Sequence, residues 1–420
     1  MKTNNKKKIA YVVSMFPCWS ETFILNELIE HKKAGLDLCI FSLKQFSENL
    51  VHEEAIPFIF KTIYPHKYFD PRLFMYHLFL LFSNPKQYIS IFSKILKFKT
   101  SSLKIKIASL AVFALSAKFI FHTRKSKVHH IHAHFATFPS LLAWIVSQYT
   151  GITFSLTVHA HDIYVNQDIL RLIAKDVNFI AAISKFNVDF MSSTIGEWIR
   201  AKTTVIHCGI DISRFDYRSQ IYYSASNNDV LEILSIGRLS GIKGFNYLID
   251  TCKLLENEGL NFRCHIAGDG PLLNQLVSKV NSLGMKDKVI FLGPQTSDEV
   301  KRLLKSCHVF ILACARDKVE GHDGIPIVFM EAMASGVPVI GTSLSGIPEL
   351  IKDGETGICV EPENPESLKD AIIFFVNNPV KVERMRVNAR KLIEKEFNIN
   401  INAKKLRRLF LTIDSREGNS

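Results

Sequence analysis

KKIAYVVSMFPCWSETFILNELIEHKKAGLDLCIFSL, from Lys7 to Leu43, decides the fold. It reads as a strand (KKIAYVVSM), a turn (FPCWS), a helix (ETFILNELIEHKKAG) and a second strand (LDLCIFSL). Ser20 is placed to cap the helix, with Glu21 in its first turn. Further apolar strands follow at VHHIHAHF, TFSLTVHA and VNFIAAIS, separated by helical stretches. Apolar, β-branched strands alternating with amphipathic helices predict a parallel sheet covered on both faces.

The pattern then restarts. VLEILSIGRL, FRCHIAGDG, KVIFLGP, CHVFILAC, GVPVIGT and TGICVEP read as strands, and KGFNYLIDTCKLLENEG, PLLNQLVSKVNSLG, SDEVKRLLKS and NPESLKDAIIFFVNN as helices between them. Ser297 is the expected cap of SDEVKRLLKS, ahead of Asp298 and Glu299. The chain is thus α/β, with two Rossmann-like units joined near VIHCGIDISRF. The expected boundaries are 1–205 and 206–390, followed by a strandless helical segment over 391–420. Ligands of open α/β sheets lie beyond the carboxyl ends of the strands, so two such units facing each other predict a site in the cleft between them.

The 420 residues are 47% hydrophobic and 22% charged, a globular balance with enough apolar material for two cores. The eight cysteines are scattered, without CxxC or His/Cys metal spacing, which predicts a reducing compartment and no structural zinc. The basic start carries an apolar run of five residues (IAYVV), too short for a signal peptide, and no uncharged apolar stretch reaches a membrane span. A cytoplasmic protein is expected.

The net charge of +12 is uneven. No Asp or Glu occurs between Asp70 and Asp162, while eleven Lys or Arg fall there, interleaved with runs such as LFMYHLFLLF and IFSKILKFK. Cations among large apolar residues suit anionic lipid head groups, so residues 71–127 are the expected membrane-facing region. Core helices with solvated lysines are the alternative. No groove-binding or base-stacking module accompanies the charge, which speaks against nucleic acid.

Chemistry-bearing residues gather at the strand ends. SIGRLSGIKGF places Arg238 and Lys243 among Gly237, Gly241 and Gly244; close backbone approach, a helix start and two cations suit a diphosphate. IAGDGP adds Gly268 and Gly270. In VEGHDGIPIVFMEAMASGVPVIGT, Gly324, Ile325, Pro326 and Ile327 form the mouth of a short helix closed by Gly336. Asp323 immediately precedes that mouth, and Glu331 lies about a turn inside. Carboxylates at two depths suit a hydroxyl-rich ligand. In the first unit, the i, i+2 spacing puts His130, His132 and His134 on one strand face, and His159 and His161 end the next strand before Asp162. No Cys or carboxylate completes a metal set at the usual spacing.

These motifs together resemble the retaining glycosyltransferases of the GT-B fold, family 4 (glycosyl transferases group 1), in the branch that makes bacterial capsule, colanic-acid-like and other exopolysaccharides. FPCWSETFILNEL, HIHAHFATFPS, TVHAHDIY, AAISKFN, VIHCGID, IGRLSGIKGF, IAGDGPL, VIFLGP and GIPIVFMEAMASGVPVIGTSLSGIPELI carry the likeness, in order and over nearly the whole chain. The resemblance implies a C-terminal helix that crosses back to the N-terminal domain. It implies Arg238 and Lys243 on the diphosphate of a UDP- or GDP-sugar, and Glu331 on the ribose. The backbone from Gly324 to Ile327 would surround sugar and phosphate. Asp323 stands at the first position of the family's Glu-x7-Glu pair, a departure from Glu. His159 matches the T-x-H strand end, and His134 a histidine near the transferred sugar.

The activity implied by this resemblance is transfer of a sugar, with retention, to a lipid-linked or oligosaccharide acceptor of capsule, exopolysaccharide or lipopolysaccharide synthesis. It needs no cofactor beyond the nucleotide sugar and no metal, and takes place on the inner face of the cytoplasmic membrane. A nucleotide-sugar epimerase of the same fold, or a non-catalytic nucleotide-sugar-binding scaffold subunit, are the alternative readings.

Overall fold

A computed structural model describes residues 7–19, 21–46, 51–66, 70–219, 229–317 and 320–413. The chain divides into two compact units. The first comprises Met1–Ile183, Asn187–Ile206 and Asn402–Ser420, and the second Ser184–Phe186 and His207–Ile401. Residues 391–401, expected in the returning segment, stay with the second unit. The reason is packing: Leu392, Ile393 and Phe397 are buried in the second unit's core.

In the first unit the strands are β1 (Lys8–Met15), β2 (Asp37–Lys44), β3 (Thr62–Ile63), β4 (His130–His134), β5 (Thr153–Val158), β6 (Phe179–Ala182) and β7 (Thr203–Val205). They form one sheet in the order β3-β2-β1-β4-β5-β6-β7, and every described pairing is parallel. Side chains alternate across it, as the pleat requires. Ala10, Val12, Ile131, Ala133, Phe154 and Leu156 enter one core with Trp144. Ile9, Tyr11 and Val13 enter the other, with Leu28, Phe58 and the C-terminal residues Leu406 and Phe410.

In the second unit, β8 (Leu231–Ile236), β9 (Phe262–Ala267), β10 (Val289–Gly293), β11 (Val309–Leu312), β12 (Val339–Thr342) and β13 (Ile358–Val360) follow the order β10-β9-β8-β11-β12-β13, again parallel. Each sheet reverses strand order beside its first strand. The crevice of the first unit therefore opens between the carboxyl ends of β1 and β4, and that of the second between β8 and β11.

Two helix starts differ from expectation. Ser20 lies outside the described residues; the helix Thr22–Lys33 begins after Glu21, without a side-chain cap. The helix Ser297–Ser306 is capped by Thr296 rather than Ser297: Thr296 and Glu299 form a reciprocal capping box, which outcompetes a serine one residue too late for that geometry.

The acid-free region forms helices Pro71–Ser83, Pro85–Lys97 and Leu103–Lys125. On the first, Leu73 and Leu80 are buried while Phe74, Met75, Leu78, Phe79 and Phe82 are exposed, a stripe at helical spacing. Ile89, Phe92 and Leu96 on the second and Leu103 and Ile107 on the third are exposed too. The solvated side of the first helix is therefore largely apolar, while on the other two exposed apolar residues are interleaved with exposed Lys86, Lys94, Lys97 and Lys104. No helix among the described residues is long and apolar enough to cross a membrane.

Candidate functional site

In the first unit the parity of β4 sets three imidazoles on the face shared with Tyr11 and Phe410. His130 bonds Thr153 Oγ1 at 2.8 Å and Ser155 Oγ at 2.7 Å; His132 bonds Ser155 Oγ at 2.8 Å and Thr157 Oγ1 at 2.9 Å. These two are satisfied core histidines tying β4 to β5. His134, at the strand end, meets different partners. Its Nδ1 lies 3.1 Å from His159 Nε2, and its Nε2 lies 3.3 Å from Glu27 Oε1. Tyr11 donates its hydroxyl to the same Glu27 oxygen at 2.8 Å.

His159 is positioned through its backbone. Its N–H donates to Asp162 Oδ1 at 3.0 Å, Ala136 N–H donates to Asp162 Oδ2 at 2.8 Å, and the Asn187 amide donates to the His159 carbonyl. Burial pushes the Asp162 carboxyl up to about 6, against the pull of these backbone N–H groups. Burial, then the neighbouring His134, holds His159 well below the usual imidazole range, so its ring is neutral at pH 7. Burial alone would raise Glu27, but His134 and His31 hold it well below the usual carboxylate range.

Glu27 is the residue that sequence spacing missed. It brings a carboxylate to the histidines from a helix 107 residues away. Glu27, His132 and His134 present ligand atoms within 4.8 Å of one another. Both nitrogens of His132 are engaged by hydroxyls, however, so the set fits a hydrogen-bonded chain better than a metal centre.

In the second unit, β8 runs into Gly237 and Arg238, and a single turn at Gly241–Lys243 leads through Gly244 to the helix Phe245–Asn257. Gly244 adopts φ +64°, and a Cβ there would lie 1.7 Å from Ala313 O. Gly268, at φ +136°, would place a Cβ 2.0 Å from Gly237 O. Gly268 and Gly270 thus let the β9 end pack against the backbone of Gly237 and Leu239.

The two cations of this crevice meet acids. Lys243 Nζ is hydrogen-bonded to Asp323 Oδ2, and Arg238 Nη1 lies 3.9 Å from Glu320 Oε1. Desolvation would lower Lys243, yet Asp323 beside it holds it above its usual range. The other Asp323 oxygen accepts from the Gly324 N–H at 3.0 Å, and Ser345 Oγ donates to the Asp323 and Gly324 carbonyls. Gly324, Ile325 and Pro326 are buried as they lead into the helix Ile327–Ala334. Its fifth residue is Glu331, whose carboxyl burial pushes up to about 7 against the distant pull of Arg214 and Lys301. The structure therefore gathers Gly237, Arg238, Lys243, Asp323 and the Gly324–Ile327 mouth at one crevice, with Glu331 inside the helix that the mouth opens.

Residues 220–392 match the family "Glycosyl transferases group 1", so the second unit carries a domain of that family. WcaL of Salmonella typhimurium, whose name assigns it provisionally to colanic acid biosynthesis as a glycosyltransferase, is 32% identical over 213 residues, 50% of this chain and 52% of that protein. The amylovoran biosynthesis glycosyltransferase AmsK of Erwinia amylovora is 30% identical over 200 residues, 48% of each chain. The matched region spans about half the length of these relatives. Among solved structures, Anabaena HepE in complex with UDP superposes with TM-score 0.72 at 16% identity, covering 97% of this chain and 100% of that one. The lipopolysaccharide outer core galactosyltransferase WaaB gives 0.69 at 16% identity, covering 96% and 99%. The two parallel-sheet Rossmann-like units are those of the GT-B fold.

Proposed function

We propose that this chain, built on the GT-B fold and carrying a group 1 glycosyl transferase domain, transfers a sugar from a UDP- or GDP-sugar to a growing, lipid-linked polysaccharide, with retention at the anomeric carbon. The observation that carries the reading is the β8 crevice. Lys243 and Arg238 stand there beside a helix mouth that Asp323 immediately precedes. HepE, a protein of the same fold, is known in complex with UDP, which supports a nucleotide-sugar donor.

The chemistry follows from charge. As the bond from the anomeric carbon to the phosphate oxygen breaks, negative charge grows on the leaving diphosphate, where fixed cations and helix N–H groups stabilise it. Arg238, Lys243 and the Gly324–Ile327 backbone supply that field, the task a divalent ion performs in other transferases. The acceptor hydroxyl forms the new bond on the face the phosphate leaves, and its proton passes to the leaving phosphate oxygen. Asp323 faces the donor sugar, Glu331 accepts from the ribose hydroxyls, and His134 and His159 are the catalytic candidates of the first unit, His134 near the transferred sugar.

The acceptor and the location belong to the same proposal. Exposed apolar stripes flanked by Lys86, Lys94, Lys97, Lys99 and Lys104, in a region without acids, suit an anionic membrane surface. The reading is tested with the full chain against a panel of UDP- and GDP-sugars. One donor should raise the melting temperature and be slowly hydrolysed without acceptor. Binding without turnover, with or without a lipid-linked acceptor, would leave the scaffold reading; no binding would overturn both.

A further inference from the structure

We propose that the turn between helices Pro85–Lys97 and Leu103–Lys125 holds the acceptor by the phosphate that links its sugar to its lipid. Lys97, Lys99 and Lys104 bind that anionic link, and Leu96, Leu103 and Ile107 meet the start of the hydrocarbon tail. The inference rests on the proposed lipid-linked acceptor and lies wholly within the first unit.

Three sets of bonds hold the turn. Lys106 Nζ donates to the carbonyls of Ile95 and Leu96 at 3.2 and 3.0 Å and lies 4.1 Å from the centre of the Phe98 ring. The end of one helix is thereby fixed to the start of the next. Ser102 Oγ accepts from the Lys104 N–H at 3.2 Å. Asp168 then ties the turn to the chain that leaves β5. Its Oδ2 accepts from the Ser101 N–H at 2.7 Å and from Ser101 Oγ at 2.8 Å, and Asn166 donates to the same hydroxyl at 2.8 Å. Asp168 stands nine positions beyond His159, so the turn is bonded to the segment that follows the β5 strand end.

The lysines of this stretch divide by what they touch. Lys106 is engaged by carbonyls, and Lys94 by the Gln148 side chain at 3.3 Å and the face of Trp144. Lys97, Lys99 and Lys104 are exposed, and no acid among the described residues pairs with them. Asp168, the acid bonded to the turn, faces Ser101 and Asn166. Burial would raise its carboxyl, but their hydrogen bonds hold it below the usual carboxylate range. Beside the three lysines, Leu96, Leu103 and Ile107 are 48%, 73% and 59% exposed. Attraction to an ordinary anionic surface needs only spread charge. Three ammonium groups on a fixed turn, with apolar neighbours, form charge-assisted hydrogen bonds to one phosphate-bearing ligand. That ligand keeps its tail in the membrane and its phosphate at the interface, and extends its sugar toward the strand ends.

The test titrates the full chain with farnesyl diphosphate, a soluble lipid diphosphate, in the presence of excess UDP to occupy the β8 crevice. Lys97→Gln/Lys99→Gln/Lys104→Gln should weaken binding about tenfold or more, and Leu103→Ser should weaken it as well. Inorganic diphosphate and farnesol, each carrying half of the ligand, should each bind about tenfold more weakly than the whole or worse. With a lipid-diphosphate acceptor, the triple lysine variant should raise the acceptor KM about tenfold while the donor KM stays within about twofold. Wild-type affinity for farnesyl diphosphate in the triple variant would overturn the proposal. So would displacement of farnesyl diphosphate by an equal concentration of short-chain phosphatidylglycerol, which would make the turn an ordinary membrane contact. The binding arms require no turnover, so a chain that transfers no sugar would refute the proposed function while leaving this result readable.

Discussion

Asp323→Ala should bind UDP more tightly than the wild type while transferring sugar more slowly. In the ligand-free protein Asp323 neutralises Lys243, and the two side chains are 21% and 16% exposed. Two unit charges at about 4 Å attract by about 4 kcal/mol at an effective dielectric near 20, most of which is offset by desolvation. Partial exposure leaves about 1–2 kcal/mol as the cost of leaving Lys243 alone. For a unit of roughly 200 residues this lowers the melting temperature by about 2–8 °C. A diphosphate recruiting Lys243 must break the same pair, so removing the competitor should strengthen UDP binding about fivefold to thirtyfold. Loss of the contact to the donor sugar should still slow transfer by about 2–4 kcal/mol. Calorimetric titration with UDP, thermal shifts with and without UDP, and initial rates read the three quantities. Asp323→Glu should behave like the wild type. Equal or weaker UDP binding by Asp323→Ala would refute the competition, and a dead Glu320→Ala beside an active Asp323→Ala would move the working acid to Glu320.

Three further outcomes are expected. Arg238→Ala with Lys243→Ala should cut kcat/KM for the donor by at least tenfold, and wild-type rates in the double variant would remove these cations from the site. Glu331 holds its proton up to about pH 7 when folded but ionises near 4.5 unfolded, so folding stability should fall as pH rises from about 4.5 to 7. Glu331→Gln should flatten that slope and gain up to about 3 kcal/mol at pH 8 in urea melts; an unchanged slope would place the titration elsewhere. Vesicle sedimentation should show salt-sensitive binding to anionic lipid. Replacing Lys94, Lys97, Lys99, Lys104 and Lys106 with Glu should weaken it, as should replacing Phe74, Phe79 and Phe82 with Ser. Equal binding to neutral vesicles would exclude charge as the cause.

What could be read from the sequence divides along physical lines. β1, β2, β4, β5, β6 and the six strands of the second unit are apolar runs bounded by turns, and each is legible. β3 and β7 have two and three residues, too few for a period, and stayed hidden. Arg238, Lys243, Asp323 and Glu331 were visible as residues in glycine-rich strand ends. That Lys243 pairs with Asp323, eighty positions away, depends on tertiary packing. Glu27 did carry a local signal, an acid at i+3 from a buried isoleucine on an amphipathic helix. The apolar stripe of Pro71–Ser83 could not be assigned, because a helix rich in Phe and Leu on several sides does not announce which side packs.

Phe410 and Leu406 complete the core beneath β1 and β4, yet they are encoded some two hundred residues after the rest of that unit. During synthesis at roughly 5–20 residues per second, β1 to β7 would therefore wait about 10–40 s on the ribosome with one flank of the sheet uncovered. The second unit is almost continuous in sequence and meets no such delay. The division of the chain predicts that a released chain truncated after Ile401 holds a protease-sensitive first unit beside a resistant second one.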